Sequence, residues 1–390
     1  MTRILILGDY PLPNETITGG IMRSVYLTAN ALSKLCPEYD FHVLTITDGI
    51  DKSFVSINKN LAIHYIHFPL RNKPILVPKF LSKQLILHEI NKIKPDLIHA
   101  NGSSWEYGYP AIAYKKCPVL ITVHGVSHNE SKYWSGLKGA WHRISCCKME
   151  SHIFEKMENV VAVSYYVERE MRKCISKTQY GNYAIHVDVI SNPVDPCFMD
   201  VTTKYTIPNL LLYVGGIEKR KGLDVLIRSL YIVKKQMPYI KLNVVGSIRS
   251  PIYCADIMKL ISDLDLIDNV NFVGKVSDTL LMKEYSNASI YISPSYEESE
   301  GITILEAMAT GTPVIATRSG GSESIIKDGV DGLLVKNGNH EELAFKILIC
   351  GDALKEQLGK GGRETALKYL PENIAKQYME VYRRLLKCQN

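Results

Sequence analysis

The sequence predicts an α/β protein made of two doubly wound, parallel-sheet domains in tandem. Three observations predict it. Short β-branched runs alternate with helix-length segments along almost the whole chain. The alternation stops once, near residue 195, and then restarts. The 390 residues also suit two cores of ordinary size better than one.

In chain order, strand-like runs fall at 4–8 (ILILG), 41–47, 62–68, 96–100, 119–124, 160–164 and 186–190. Between them, Gly20 to Leu35 and Pro78 to Ile93 repeat apolar residues every three or four positions, the spacing of helices that cover a sheet. At 191–196 (SNPVDP) two prolines break the pattern, and a polar stretch runs on to Pro208. The expected domains are therefore 1–195 and 196–371. Strands resume at 209–215, 240–246, 270–274, 288–294, 313–317 and 332–335. A last helix starts at Pro371, and residues 372–390 are expected to pack back on the first domain. Tandem doubly wound domains are expected to hold ligands in a cleft at the carboxyl ends of their sheets.

Composition narrows the classes. With 46% hydrophobic and 22% charged residues the chain is neither disordered nor fibrous. The opening MTRILILGDYPLP reads as a strand rather than a leader, and no run of eighteen apolar residues exists, so a cytoplasmic protein is expected. A net charge of +6 suits anionic small molecules or an anionic membrane surface. It is too dispersed for nucleic acid, and no basic run with interleaved aromatics is present. The nine cysteines show no CxxC spacing, and neither they nor the histidines are spaced as metal ligands.

The chemistry concentrates at EESEGITILEAMATGTPVIAT (297–317), where Glu298 and Glu306 flank Gly301. The preceding strand ends at Pro294 and a helix begins near Gly301. The amides of Gly301, Ile302 and Thr303 thus fall at a helix N-terminus, which favours an anion such as phosphate, and a glycine lets the backbone approach it. A carboxylate repels phosphate but accepts hydrogen bonds from vicinal hydroxyls. The pattern suits an anionic centre flanked by diols, as in a nucleotide sugar. A solvated acidic loop beside a helix-dipole glutamate would give the same pattern.

The wider stretch SYEESEGITILEAMATGTPVIAT, with GGSESIIKDGVDGLLV after it, resembles the E-x7-E region of the retaining GT-B glycosyltransferases of family four. The resemblance runs in order along the chain, through GG at 19–20, ITVHG (121–125), VVAVS (160–164), VISNPVD (189–195) and YVGGIEKRKG (213–222). It implies a GT-B fold of two Rossmann-like domains, the second holding a nucleotide-diphosphate sugar. Glu306 would take the ribose hydroxyls, Glu298 the sugar hydroxyls and Lys221 the diphosphate. The amides of Gly301, Ile302 and Thr303 would support phosphate and sugar. Gly19 and Gly20 would form a glycine loop at the first helix, His124 would reach the donor sugar, and Lys275 would lie near the base. The family's second cation falls on Gly216, which leaves Lys219 or Arg220 of the same loop to supply the charge, or backbone amides to hold the diphosphate in its place. Pro193 stands where the family has glycine, which stiffens that turn.

The resemblance further implies metal-independent transfer, with no cofactor beyond a UDP- or GDP-sugar donor, to a hydroxyl of a glycan or lipid-linked acceptor, and a composition rich in Lys, Ile, Asn and Tyr suggests a bacterial enzyme of surface-polysaccharide synthesis. Two basic, apolar segments, 78–94 and 138–156, read either as helices packed on the sheet or as a peripheral membrane face. Asp263-Leu-Asp265 reads as a helix face rather than a metal pair, and GKGGRE (359–364) follows no strand, which argues against a dinucleotide loop. A nucleotide-sugar epimerase of the same fold and a non-catalytic nucleotide-sugar binder remain alternatives.

Overall fold

The computed structural model describes residues 1–13, 15, 17, 19–48, 53–68, 79–133, 136–176, 185–201 and 206–387. Pro78, part of the expected linker (202–205) and the last three residues of the expected 372–390 segment lie outside the described residues. The chain forms two compact units, Met1–Pro193 with Pro371–Asn390, and Val194–Leu370.

The first unit is built on eight strands: β1 (Thr2–Leu7), β2 (Tyr39–Thr47), β3 (Ser53–Asn58), β4 (Leu61–His67), β5 (Leu97–Asn101), β6 (Val119–Val123), β7 (Asn159–Ala162) and β8 (His186–Val189). Their order across the sheet is β3-β4-β2-β1-β5-β6-β7-β8, parallel except for β3 against β4. Ile4, Leu5, Ile6 and Leu7 are all buried, as expected of a strand covered on both faces. The exception is β3, which lies outside the strand runs expected from the sequence. It is an edge strand with Phe54 63% and Ile57 44% exposed, so no run of buried residues marks it. Asn60 fixes its turn by donating to the carbonyls of Ser33, Cys36 and Tyr39.

The helix Pro371–Lys387 belongs to this first unit. It begins on a proline, whose missing N–H costs nothing at a first helical position. Its buried face (Ile374, Tyr378, Met379, Tyr382 and Leu385) joins the cluster formed by the helix Gly20–Leu35 with β1, β2 and β4.

The second unit is a fully parallel sheet of β9 (Leu210–Val214), β10 (Lys241–Val245), β11 (Val270–Gly274), β12 (Ile290–Ser293), β13 (Val314–Thr317) and β14 (Leu333–Val335). The order is β11-β10-β9-β12-β13-β14. From β9 the chain winds outward through β10 and β11, then returns to the other side of β9 at β12. Doubly wound sheets bind ligands beyond the carboxyl ends of their strands at such a reversal. Here the reversal lies between the loops that follow β9 and β12.

Candidate active site

After β9 the chain makes a 3-10 turn, Lys219–Lys221, which ends on Gly222 at φ +66°. A Cβ on residue 222 would lie 2.0 Å from the carbonyl oxygen of Pro294, so only glycine lets the β9 loop close on the β12 loop. The closure is fastened by Tyr296 N, which donates to the Arg220 carbonyl at 2.8 Å. On its far side the β12 loop is held by β13. Glu298 N donates to the Ser319 carbonyl at 2.9 Å and Gly321 N to the Glu298 carbonyl at 2.7 Å. Glu298 is therefore pinned through its own backbone.

The helix Ile302–Ala309 follows, with Gly301 at φ +111° as its N-cap and no side chain capping it. The amides of Ile302 and Thr303 open this helix, where unshared N–H groups and the helix dipole favour an anion. Glu306, 6% exposed, sits on the same helix and accepts from the Tyr285 hydroxyl at 2.9 Å. The Tyr285 hydroxyl also lies 3.2 Å from the Thr303 carbonyl, and Tyr291 donates to Thr303 Oγ1 at 2.8 Å. Neither tyrosine is marked by any sequence motif, because each is one more apolar position in its element.

Lys221 Nζ donates to Glu298 Oε2 at 2.6 Å, and Ser295 Oγ lies 3.4 Å from the same oxygen. Burial alone would raise the Glu298 pKa. The charges of Lys221 and Arg220 beside it, with hydrogen bonds from Lys221 and Ser295, outweigh burial and hold the carboxyl below its ordinary value. Glu298 is thus a buried, ionised group whose partner is a lysine 77 positions earlier in the chain. The two neighbouring cations are also engaged. Lys219 binds Asp224 at 2.7 Å, and Arg220 binds Glu218 at 3.1 Å and the Glu297 carbonyl at 3.2 Å.

The structure therefore brings Lys221, Arg220, Glu298, Gly301, Ile302, Thr303 and Glu306 together on adjacent loops and one helix of the second unit. Gly216 follows the end of β9, and Lys275, exposed, follows β11. Gly19, Gly20 and His124 lie in the first unit. Gly19, at φ +88°, caps the helix Gly20–Leu35 and has open space where a Cβ would stand. His124 follows β6, with Nε2 3.3 Å from Asn101 Oδ1. Burial pushes its pKa down to about 4 against the smaller upward pull of a hydrogen bond with Asn192, so the ring is neutral near pH 7.

Other segments have structural roles. Asp263 ends the helix Pro251–Asp263, and Asp265 beyond it pairs with Lys234, while 359–364 lies inside the helix Asp352–Ala366. The helix Lys79–Ile93 buries Ile86, Ile90 and Ile93, and Gly136–Phe154 buries Met149, Ile153 and Phe154 in the same core. Among the described residues no group of three or more His, Cys, Asp or Glu gathers as a metal site, and no helix is long and apolar enough to cross a membrane.

Residues 198–365 match the family model for glycosyl transferases group 1, and residues 18–197 match that for glycosyltransferase family 4. A D-inositol 3-phosphate glycosyltransferase of Nocardioides is 33% identical over 189 residues, 45% of this chain and 41% of that protein. The chain thus aligns with about two-fifths of that relative's length. Sucrose-phosphate synthase of Thermosynechococcus elongatus superposes over 100% of both chains at a TM-score of 0.78 and 25% identity. Anabaena HepE, solved with UDP-glucose, covers 99% of this chain and 100% of its own at a TM-score of 0.69 and 18% identity. With the two models matched in order across both units, the chain belongs to the GT-B glycosyltransferases of family 4.

Proposed function

We propose that this glycosyltransferase moves a sugar, with retention at its anomeric carbon, from a UDP- or GDP-sugar to a hydroxyl of a glycan or lipid-linked acceptor. The observation that carries the reading is the Lys221–Glu298 pair beside the Gly301 helix N-terminus, with Glu306 buried on the same helix. The acceptor oxygen forms its bond to the anomeric carbon as the bond to the β-phosphate oxygen breaks, and the acceptor proton passes to the leaving diphosphate. Charge grows on that diphosphate, where Lys221 and the amides of Ile302 and Thr303 would stabilise it. Glu298 would orient the sugar hydroxyls and Glu306 the ribose. His124 would meet the donor sugar as a neutral hydrogen-bonding group. Since lysine and helix dipole supply the positive charge, transfer should persist in EDTA.

The UDP-glucose held by the Anabaena neighbour and the name of the Nocardioides relative, a D-inositol 3-phosphate glycosyltransferase, support a nucleotide-sugar donor and a hydroxyl-bearing acceptor as classes. The test is nucleotide release by the purified chain from a panel of UDP-, GDP- and ADP-sugars, with and without EDTA. One donor should be hydrolysed slowly, and Glu306→Ala should raise the KM for it. Conversion of the donor to an isomeric nucleotide sugar, with no nucleotide released, would show an epimerase and overturn the reading.

A further inference from the structure

The second unit holds a cation outside the set described above. Arg249 stands in the loop between β10 and the helix Pro251–Asp263. That loop is laced to the β9 loop through the backbone. Ile217 N donates to the Ser247 carbonyl at 2.9 Å, and the amides of Arg249 and Ser250 both donate to the Ile217 carbonyl, at 3.2 and 3.1 Å. The stem of Arg249 lies across Gly216, such that a Cβ on residue 216 would fall 2.7 Å from Arg249 Cγ and 3.7 Å from Nε. Residue 216 and Arg249 therefore compete for one space, and the chain gives it to the arginine.

The charges nearby are unequally committed. Lys219, Arg220 and Lys221 each pair with a carboxylate, namely Asp224, Glu218 and Glu298. Among the described residues the Arg249 guanidinium has no such partner. It is not remote from the site either. The Tyr213 hydroxyl donates to the Gly216 carbonyl at 3.0 Å, and from Gly216 the chain runs into the Lys219–Lys221 turn that presents Lys221 to Glu298. An exposed arginine without a partner is ordinarily a solubilising charge. This one has its amide fixed against the β9 loop and its stem laid over Gly216, where any Cβ would meet it.

We propose that Arg249 is a donor-binding residue of this chain, delivering across Gly216, from the neighbouring strand's loop, the guanidinium that grips the donor diphosphate. The proposal rests on the nucleotide-sugar reading above. A guanidinium binds phosphate through paired, charge-assisted hydrogen bonds, and losing them reduces affinity by about tenfold or more. The experiment is calorimetric titration of the full chain with UDP, GDP and ADP and with the matching monophosphates. In Arg249→Ala, affinity for the preferred diphosphate should fall by about tenfold or more, its preference over the monophosphate should shrink, and the Tm should hold. Adding Gly216→Arg to Arg249→Ala should recover most of the loss, whereas Gly216→Arg alone should not help, because the two stems collide. If wild type binds a diphosphate and Arg249→Ala binds it equally well, this proposal falls and the glycosyl-transfer reading stands. If wild type binds none of the three diphosphates, both fall. A loss of binding together with a drop in Tm of core-substitution size would assign Arg249 a structural role and overturn the proposal.

Discussion

At Gly301 the backbone has φ +111°, and a Cβ there would come within 2.8 Å of Ile304 Cδ1. Gly301→Ala is therefore expected to cost about 1–3 kcal/mol of stability, seen as a lower urea midpoint at constant m. It should also weaken donor binding, because relief of the strain must move the Ile302 and Thr303 amides. Glu298→Gln tests a different property of the same loop. The amide oxygen can still accept from Lys221, so the fold should survive, but the negative charge beside the donor is lost. Turnover at saturating donor should then drop by about a hundredfold, and unchanged turnover would remove Glu298 from its assigned role. The spacing of Glu298, Gly301 and Glu306 was legible because all three lie on one loop and the helix it enters. The Lys221–Glu298 pair was not, because its members are 77 residues apart and meet only through Gly222 and Pro294.

At the scale of elements, the helix Pro371–Lys387 joins the first unit by more than apolar contact. His99 on β5 is fully buried, with Nδ1 2.6 Å from the Tyr382 hydroxyl and Nε2 2.7 Å from Thr122 Oγ1. Thr122 on β6 is in turn 3.1 Å from the Tyr378 hydroxyl. Tyr382→Phe keeps the packing but leaves a buried ring nitrogen without its partner, which should cost about 1–3 kcal/mol. The check is the urea midpoint of Tyr382→Phe against Tyr378→Phe, the latter expected to be milder because Thr122 keeps His99. The sequence showed the helix and its apolar stripe, since that period is local. It could not show that His99 and Thr122, two polar residues within apolar strands, were waiting for that stripe's tyrosines. The edge strand β3 escaped for the opposite reason, because most of its described side chains face water and its pairing with β4 is antiparallel.

For the whole molecule, titration separates the two units. His99 has its pKa pushed down to about 3, and His64 and His124 to about 4, by burial first in each case, with the charge of His42 adding to it at His64. All three lie in the first unit. Below the ordinary value of 6.5 the unfolded chain takes up protons that the folded unit refuses, so the first unit should lose stability steadily as pH falls from about 6.5 through about 4 to about 3. In the second unit Glu298 and Asp224 are held below their ordinary 4.5 and 3.8. Their contribution is present above those values and fades only as pH falls below about 4.5. Hydrogen exchange on the full chain, corrected for intrinsic rates, should show protection falling in the first unit between pH 6.5 and 5 while the second holds. Equal loss in both would contradict this assignment.

The sequence by itself determined the alternation of strands and helices, the fully parallel character of the second sheet, the helix Pro371–Lys387 and the candidate loop around Gly301. Each is carried by residues near one another in the chain, through periodicity, turn chemistry or a contiguous motif. Only the tertiary structure decided that Lys221 pairs with Glu298, that Tyr285 supports Glu306, and that Arg249 fills the space over Gly216. Those pairings join loops from different strands at a sheet reversal. Their partners are set by strand order, and strand order is a property of the packed sheet rather than of any local stretch of chain.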